Sequence, residues 1–144
     1  MDPILELKQA VIARLKGTPA IAAITGNRIY DVSPENGGQD PQTPYINFGQ
    51  WDASDDNYEC IDSVEISAQV NVWSYGPNLA ASTAEANNIA HMVREALKNL
   101  ADNVELPVNA LATFEHRITR SVVASDGKTK QAAITFTAVV ESPE

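Results

Sequence analysis

Hydrophobic positions along the chain follow two periods, one helical and one alternating, and the change between them marks the elements. Ile4, Leu5, Leu7, Lys8, Val11, Ile12 and Leu15 fall at helical spacing, with Lys8 alone polar. Asp2 suits the cap, Pro3 the first helical position and Gly17 the stop. Leu5, Val11, Ile12 and Leu15 are expected to face the core. Thr18 to Thr25 predicts a second, short helical turn with Ile21 and Ile24 inward, broken by Gly26-Asn27. Arg28 to Asp31 reads as a short extended piece. Ser33 to Pro44, with three prolines and two glycines, reads as a loop.

The alternating period begins at Tyr45. Over Tyr45 to Trp51, Ile46 and Phe48 share one face, with Tyr45, Asn47 and Trp51 on the other. Asp52 to Cys60 is acidic and has no core pattern. From Ser63 to Ser74, Val64, Ile66, Ala68, Val70 and Val72 alternate with Glu65, Ser67, Gln69, Asn71 and Trp73, the pattern of a sheet buried on one face. These two strands are expected to pair as a long hairpin with an acidic tip at about 52–62. Helical spacing returns over Leu79 to Leu100, with Ser82, Ala86, Ile89, Val93, Ala96, Leu97 and Leu100 as its inner stripe. Arg94 and Lys98 lie where they complement the helix dipole. Val104 to Val108 predicts a short strand limited by Pro107. Leu111 to Ala124 and Thr129 to Glu141 predict a second hairpin around Ser125-Asp126-Gly127-Lys128, because Asp-Gly accepts positive φ readily. Ile134, Phe136, Ala138 and Val140 share one face of its last strand.

The order is helix, two long strands, helix, two long strands. It predicts an α+β fold: an antiparallel sheet of two long hairpins with two main helices packed on one face. At 144 residues the chain is expected to form a single domain, 1–144, able to bury a core without metal or disulfide support. The other sheet face is rich in Thr, Ser, Asn and Gln, and is either solvated or in contact with neighbouring subunits.

Charge narrows the function. The net charge is −9, against the basic footprint that a nucleic-acid reader needs. No lysine or arginine occurs between Arg28 and Arg94, while that interval carries Asp31, Glu35, Asp40, Asp52, Asp55, Asp56, Glu59, Asp62, Glu65 and Glu85. Such a stretch is either a solvated surface that aids solubility or one that repels DNA or meets a basic partner. The single cysteine, Cys60, forms no internal bridge, and flanking Glu59 and Asp62 disfavour its thiolate. No apolar run approaches the length of a membrane span, and Met1-Asp2-Pro3 opens no signal-peptide pattern, so synthesis in the cytoplasm is expected.

Chemistry is sparse. The chain carries no nucleophile elbow, phosphate-binding loop, dinucleotide fingerprint, Cys-x-x-Cys or His-Glu-x-x-His. No catalytic residue, cofactor or metal site is expected. His91 falls on the polar side of its helix. His116 shares strand parity with Phe114, Ile118 and Val122, which points it toward the core, but Arg120 has the same parity. A bulge or an end-of-sheet position would account for both. Asp52 to Glu59 has the acids of a calcium loop without the glycine of its sharp turn or its ordered ligand spacing.

Several segments, in order, resemble the phage tail-terminator family, also called tail-completion or head–tail joining proteins. They are the N-terminal helix, Thr18-Pro19-Ala20-Ile21, Gly26-Asn27-Arg28-Ile29-Tyr30-Asp31, Pro44-Tyr45-Ile46 and Val70-Asn71-Val72-Trp73-Ser74. The alanine-rich helix ending Val93-Arg94-Glu95-Ala96-Leu97 follows, then Asp126-Gly127 and Ala133-Ile134-Thr135-Phe136-Thr137-Ala138. The Ser33–Pro44 loop is longer than that pattern has.

The resemblance implies a structural protein that caps the tail tube as a ring, usually a hexamer, stops its polymerisation and joins the tail to the head connector. Implied partners are further copies of the chain, the tail tube protein and a head connector or stopper protein. DNA passes through the lumen without sequence-specific contact, and no membrane is involved. The implied location is the host cytoplasm during assembly and then the head-proximal end of the virion tail. Asp52, Asp55, Asp56, Glu59, Trp51, Trp73 and Tyr45 are the candidate subunit or ring contacts, part of the acidity facing the lumen or the next ring. The alternatives are another tail or neck component, such as a tube subunit or connector adaptor, or a small enzyme or ligand-binding domain with Trp51, Trp73 and Tyr45 lining a pocket on the polar sheet face.

Overall fold

The computed structural model describes residues 2–32, 44–55, 62–123, 127 and 129–143. In chain order these form α1 (Pro3–Lys16), α2 (Pro19–Thr25), β1 (Ile29–Tyr30), β2 (Tyr45–Asp55), β3 (Ser63–Tyr75), α3 (Leu79–Leu97), α4 (Leu100–Asn103), β4 (Ala110–Val123) and β5 (Thr129–Glu141). The fold is α+β. The five strands make one sheet in the order β1-β2-β3-β5-β4, so the two long hairpins meet through β3 and β5 at its centre. All long-strand pairings are antiparallel. The short β1 adds a parallel pair, Ile29 with Ile46 and Tyr30 with Asn47, which makes the sheet mixed.

The helices begin where their caps dictate. Asp2 accepts a hydrogen bond from the Ile4 amide at 3.0 Å, and Pro3 opens α1. Asn78 does the same for α3, accepting from the Ala81 amide at 2.9 Å. The buried stripe of α1 is Leu7, Val11 and Leu15, one step of four apart, with Ile4 and Ile12 beside it. Leu5, expected inward, is exposed, because it sits two residues and so about 200° from Leu7 around the helix. The stripe of α3 is as expected from Ser82 to Leu97, but the helix ends there, and the buried Leu100 belongs to α4.

Ile66, Ala68, Val70 and Val72 of β3 and Ala132, Ile134, Phe136, Ala138 and Val140 of β5 form the floor of the core. Both strands are flanked on each side, so their inward residues are almost wholly removed from water. Phe136 stacks on Phe114 of β4, with ring centroids 4.9 Å apart. Two arginines tie the periphery together. Arg14 donates to the Ala96 carbonyl, joining α1 to the end of α3. Arg28 donates to the carbonyls of Pro44 and Ile24, joining α2 to the start of β2.

Two further expectations are corrected. No strand forms over 104–108: Glu6 of α1 is buried and takes the backbone amides of Val108 and Asn109, which a ladder would otherwise use. Asp52–Asp55 is strand rather than hairpin tip, pairing with Ser67 to Val64. The rest of the expected tip, residues 56–61, lies outside the described residues, as do Ser33–Thr43, Cys60, and Ala124 to Asp126 and Lys128 of the second turn. Gly127 of that turn is described and has φ +74°, the left-handed region that glycine enters without steric cost.

Candidate interaction surface

The helices cover one side of the sheet and leave the other open. Reading across the open face from β1, Tyr30, Tyr45 and Asn47 lead to Trp73, Asn71 and Gln69, then to Gln131, Ala133 and Thr135, and finally to Val122, Arg120 and Ile118. At one end the aromatic rings form a row. Tyr45 stacks on Trp73 at 6.2 Å and 17°, and Tyr30 leans on Tyr45 at 6.2 Å. The Trp73 indole N–H donates to Asn47 Oδ1 at 2.9 Å. Beside the row is an amide cluster. Asn71 Oδ1 accepts from Gln69 Nε2 at 2.8 Å and from Gln131 Nε2 at 3.1 Å. Gly49 lies against this cluster: a Cβ there would stand 2.7 Å from Gln69 Cδ. The amides are engaged with one another, so this part of the face is rigid rather than a collection of free side chains.

Trp51 does not belong to it. The ladder between β2 and β3 shifts between Phe48 and Trp51, where two residues, Gly49 and Gln50, lie opposite the single residue Gln69, one more than regular pairing holds. Strict alternation places Trp51 with Tyr45. The bulge returns it to the helix side, where it packs on Phe48 at 4.9 Å and its N–H donates to the Gln69 carbonyl. Lys8 of α1 lies over its ring at 5.6 Å and also pairs with Asp31 at 3.0 Å. Of the three candidate aromatics, Tyr45 and Trp73 are therefore brought together and Trp51 is on the opposite side. Asp52 is exposed on the open face opposite Ser67, and Asp55 is exposed opposite Val64 on the helix side. Asp56 and Glu59 lie outside the described residues.

A second bulge decides the character of β4. The ladder shifts between His116 and Ile118, so Arg117 is the additional residue. His116 stays with Phe114 on the helix side, its ring edge on Phe136 at 5.9 Å. Ile118, Arg120 and Val122 move to the open face. This resolves the shared parity of a histidine and an arginine, which simple alternation leaves in conflict. Ile118 and Val122 are 39% and 45% exposed, and line an open depression with Arg117, Arg120, Gln69 and Gln131. These residues carry the most interface-like chemistry of the molecule. In the sequence their signal is the break in alternation at Arg120.

His116 meets Phe136 from β4 on the helix side of the sheet. Its Nε2 lies 2.8 Å from Thr119 Oγ1. Burial, and then the charge of Arg94, hold its pKa below the usual histidine range. Its hydrogen-bond partner is the Thr119 hydroxyl, not the carboxylate that would orient a base for nucleophile activation. His91 is exposed on α3. Among the described residues no group of three or more His, Cys, Asp or Glu is placed to hold a metal ion, and no helix is long and apolar enough to cross a membrane.

Comparisons with known proteins give this surface a context. A chain of the solved virion of a native gene transfer agent particle superposes with a TM-score of 0.80 over 94% of this chain and 95% of that one, at 21% identity. No curated protein matches the sequence. The family described as tail completion protein gp17 matches residues 9–141, which takes in every strand and all but the first turns of α1. The fold and that match agree with the resemblance read from the sequence: this chain belongs to the tail completion protein family, as a structural component of a phage-like tail.

Proposed function

We propose that the chain is the tail terminator of its particle, a subunit of the ring that caps the tail tube, stops its growth and presents a surface to the head connector. The family match over residues 9–141 carries the reading. Further copies of the chain, six to a ring, are its first partners, and the tube and connector proteins its second.

 The role needs extended strands and polar faces to meet neighbours and no chemical step. A lumen through which DNA passes is served by acidic walls, since like charge keeps phosphates from adhering. The net charge of −9 and the cation-free interval from Ile29 to Val93 support that part of the reading. The subunit is made in the host cytoplasm and ends at the head-proximal end of the tail.

The test is deletion of the gene from the element that encodes it, with negative-stain imaging of the particles. Overlong tails detached from filled heads are expected. Absent tails would assign the chain to the tube or its initiation instead. Normal, joined particles would remove the assembly role and return the ligand-binding and enzyme readings to consideration.

A further inference from the structure

We infer that the two free edges of the sheet are the two halves of one contact: the acidic β2 edge of one copy receives the arginine-bearing β4 edge of the next. The inference rests on the ring reading and specifies which surfaces build the ring. β1 pairs only with Ile46 and Asn47, so among the described residues no strand covers β2 from Phe48 to Asp55. At the other end of the strand order, β4 has β5 on one side and, among the described residues, no strand on the other. Two long unpaired edges offer rows of backbone donors and acceptors to another chain.

Their charges are opposite. Gln50 to Asp55 of β2 carries Asp52 and Asp55 and no cation, whereas Arg117 to Val123 of β4 carries Arg117 and Arg120 and no anion. Three other cations are committed within the fold: Lys8 to Asp31, Arg14 to the Ala96 carbonyl, and Arg28 to those of Pro44 and Ile24. Arg117 and Arg120 make no ion pair among the described residues. Exposed Ile118, Val122 and Val123 stand among them, giving β4 the mixture of apolar and arginine side chains that protein interfaces favour.

This charge pattern also selects the geometry. Two β2 edges repel each other, and so do two β4 edges, so symmetric pairing of like edges is disfavoured. Pairing unlike edges is head-to-tail, the arrangement that generates rings when the rotation closes. Successive neighbours across β2, β3, β5 and β4 alternate in direction, so β4 runs opposite to β2. A neighbour that continues the sheet therefore adds an antiparallel pair. In the register of the sheet Arg120 is level with Ala133 and Asn71, whereas Asp52 and Asp55 are level with Ser67 and Val64. Matching the charges offsets neighbouring copies along the strands by about four to seven residues, ~13–23 Å. Closed sheets contain staggers of this kind. Asp52 and Asp55 thus belong to the subunit contact, leaving the other acids for the lumen.

Charge exchange within a single chain tests the contact. The particle is made with Arg117→Asp/Arg120→Asp, with Asp52→Arg/Asp55→Arg, and with all four changes. Circular dichroism confirms folding of each purified variant. Each pair alone is expected to lower the yield of complete particles roughly tenfold or more, and the fourfold variant to restore most of it, because both halves of the contact are reversed together. Wild-type yield from either pair, or a folded fourfold variant as defective as the pairs, would overturn the inference. Where a variant does not fold, Asp52→Cys with Arg120→Cys in a Cys60→Ser background replaces it. Oxidised particles should then give a ladder of covalent multimers, and monomer alone would overturn the contact. Tail length after gene deletion judges capping separately, so the contact and the terminator role can fail independently.

Discussion

Glu6 and Asn109, 103 residues apart in sequence, meet in the interior: Asn109 Nδ2 donates to Glu6 Oε2 at 2.6 Å. The backbone amide of Asn109 donates to the same oxygen at 3.2 Å, and that of Val108 to Oε1 at 2.7 Å. One carboxylate of α1 therefore fixes the segment that leads into β4. Removing it strands three donors. Glu6→Ala should cost about 3 kcal/mol, and Glu6→Gln, which keeps one acceptor, about 1–2 kcal/mol. Urea unfolding midpoints at constant m-value will show whether that order holds.

Acidification should weaken the fold in two stages. Burial pushes the Glu6 pKa upward, but the bonds from Asn109 and Val108 outweigh it and leave it below the ordinary value. His116 is also depressed, by burial and then by Arg94. A depressed folded pKa means that the unfolded chain binds protons more readily, so stability falls as pH falls. The His116 contribution is complete above its unfolded value of about 6.5 and is lost as pH drops through its lower folded value. The Glu6 contribution is complete above about 4.3 and is lost below that. Thermal unfolding followed from pH 7.5 to pH 3 should show both losses, with His116→Phe removing the first and Glu6→Gln reducing the second.

Phe136 is the largest wholly buried side chain and touches rings on two sides, Phe114 and His116. Phe136→Ala should cost about 3–5 kcal/mol through lost burial and the cavity left behind. Phe136→Leu should cost clearly less, since it fills most of the volume. Denaturant titration of the two variants compares them directly.

Deletions separate a bulge residue from a ladder residue. Deleting Arg117 restores regular alternation in β4 from Thr113 onward and leaves His116 opposite Phe136 and Ile118 opposite Thr135, so the variant should fold with little loss of stability. Deleting Thr135 is different, because β5 is paired on both sides. Phe136, Ala138 and Val140 would exchange faces with their polar neighbours, and no cooperatively folded protein is expected. Circular dichroism with thermal melting will distinguish the two outcomes.

The parts of the fold legible in the sequence are those with a single clean period. The run from Val64 to Val72 alternates without interruption and β3 follows it; Ser82 to Leu97 keeps helical spacing and α3 follows that. Trp51 was misplaced because Gly49 and Gln50 break the alternation through backbone geometry, with no proline or charge run to announce it. The bulge at Arg117 left a trace, a histidine and an arginine that could not both face the core. The parallel pairing of β1 was not legible, since two residues carry no period. The expected strand at Val104–Val108 was displaced by Glu6, a partner that no local pattern reveals. Asp52 and Asp55 were singled out by charge alone, whereas Arg117 and Arg120 stand out only once the sheet order puts them on the opposite edge.

The central position of the β3–β5 ladder has a consequence for how the subunit comes into being. Its pairs run from Tyr75 with Thr129 to Ser63 with Glu141, and α3 and β4 lie between them in the chain. Contacts this distant in sequence make folding slow, because the entropy of closing the loop is lost before the pairing compensates it. During synthesis the β2–β3 hairpin emerges early, but the inner edge of β3 stays open until β5 has been translated. The sheet is therefore completed late, and a chain interrupted before Thr129 lacks the strand that would link β4 to the β2–β3 hairpin. Such fragments are candidates for aggregation or degradation rather than for assembly into a tail.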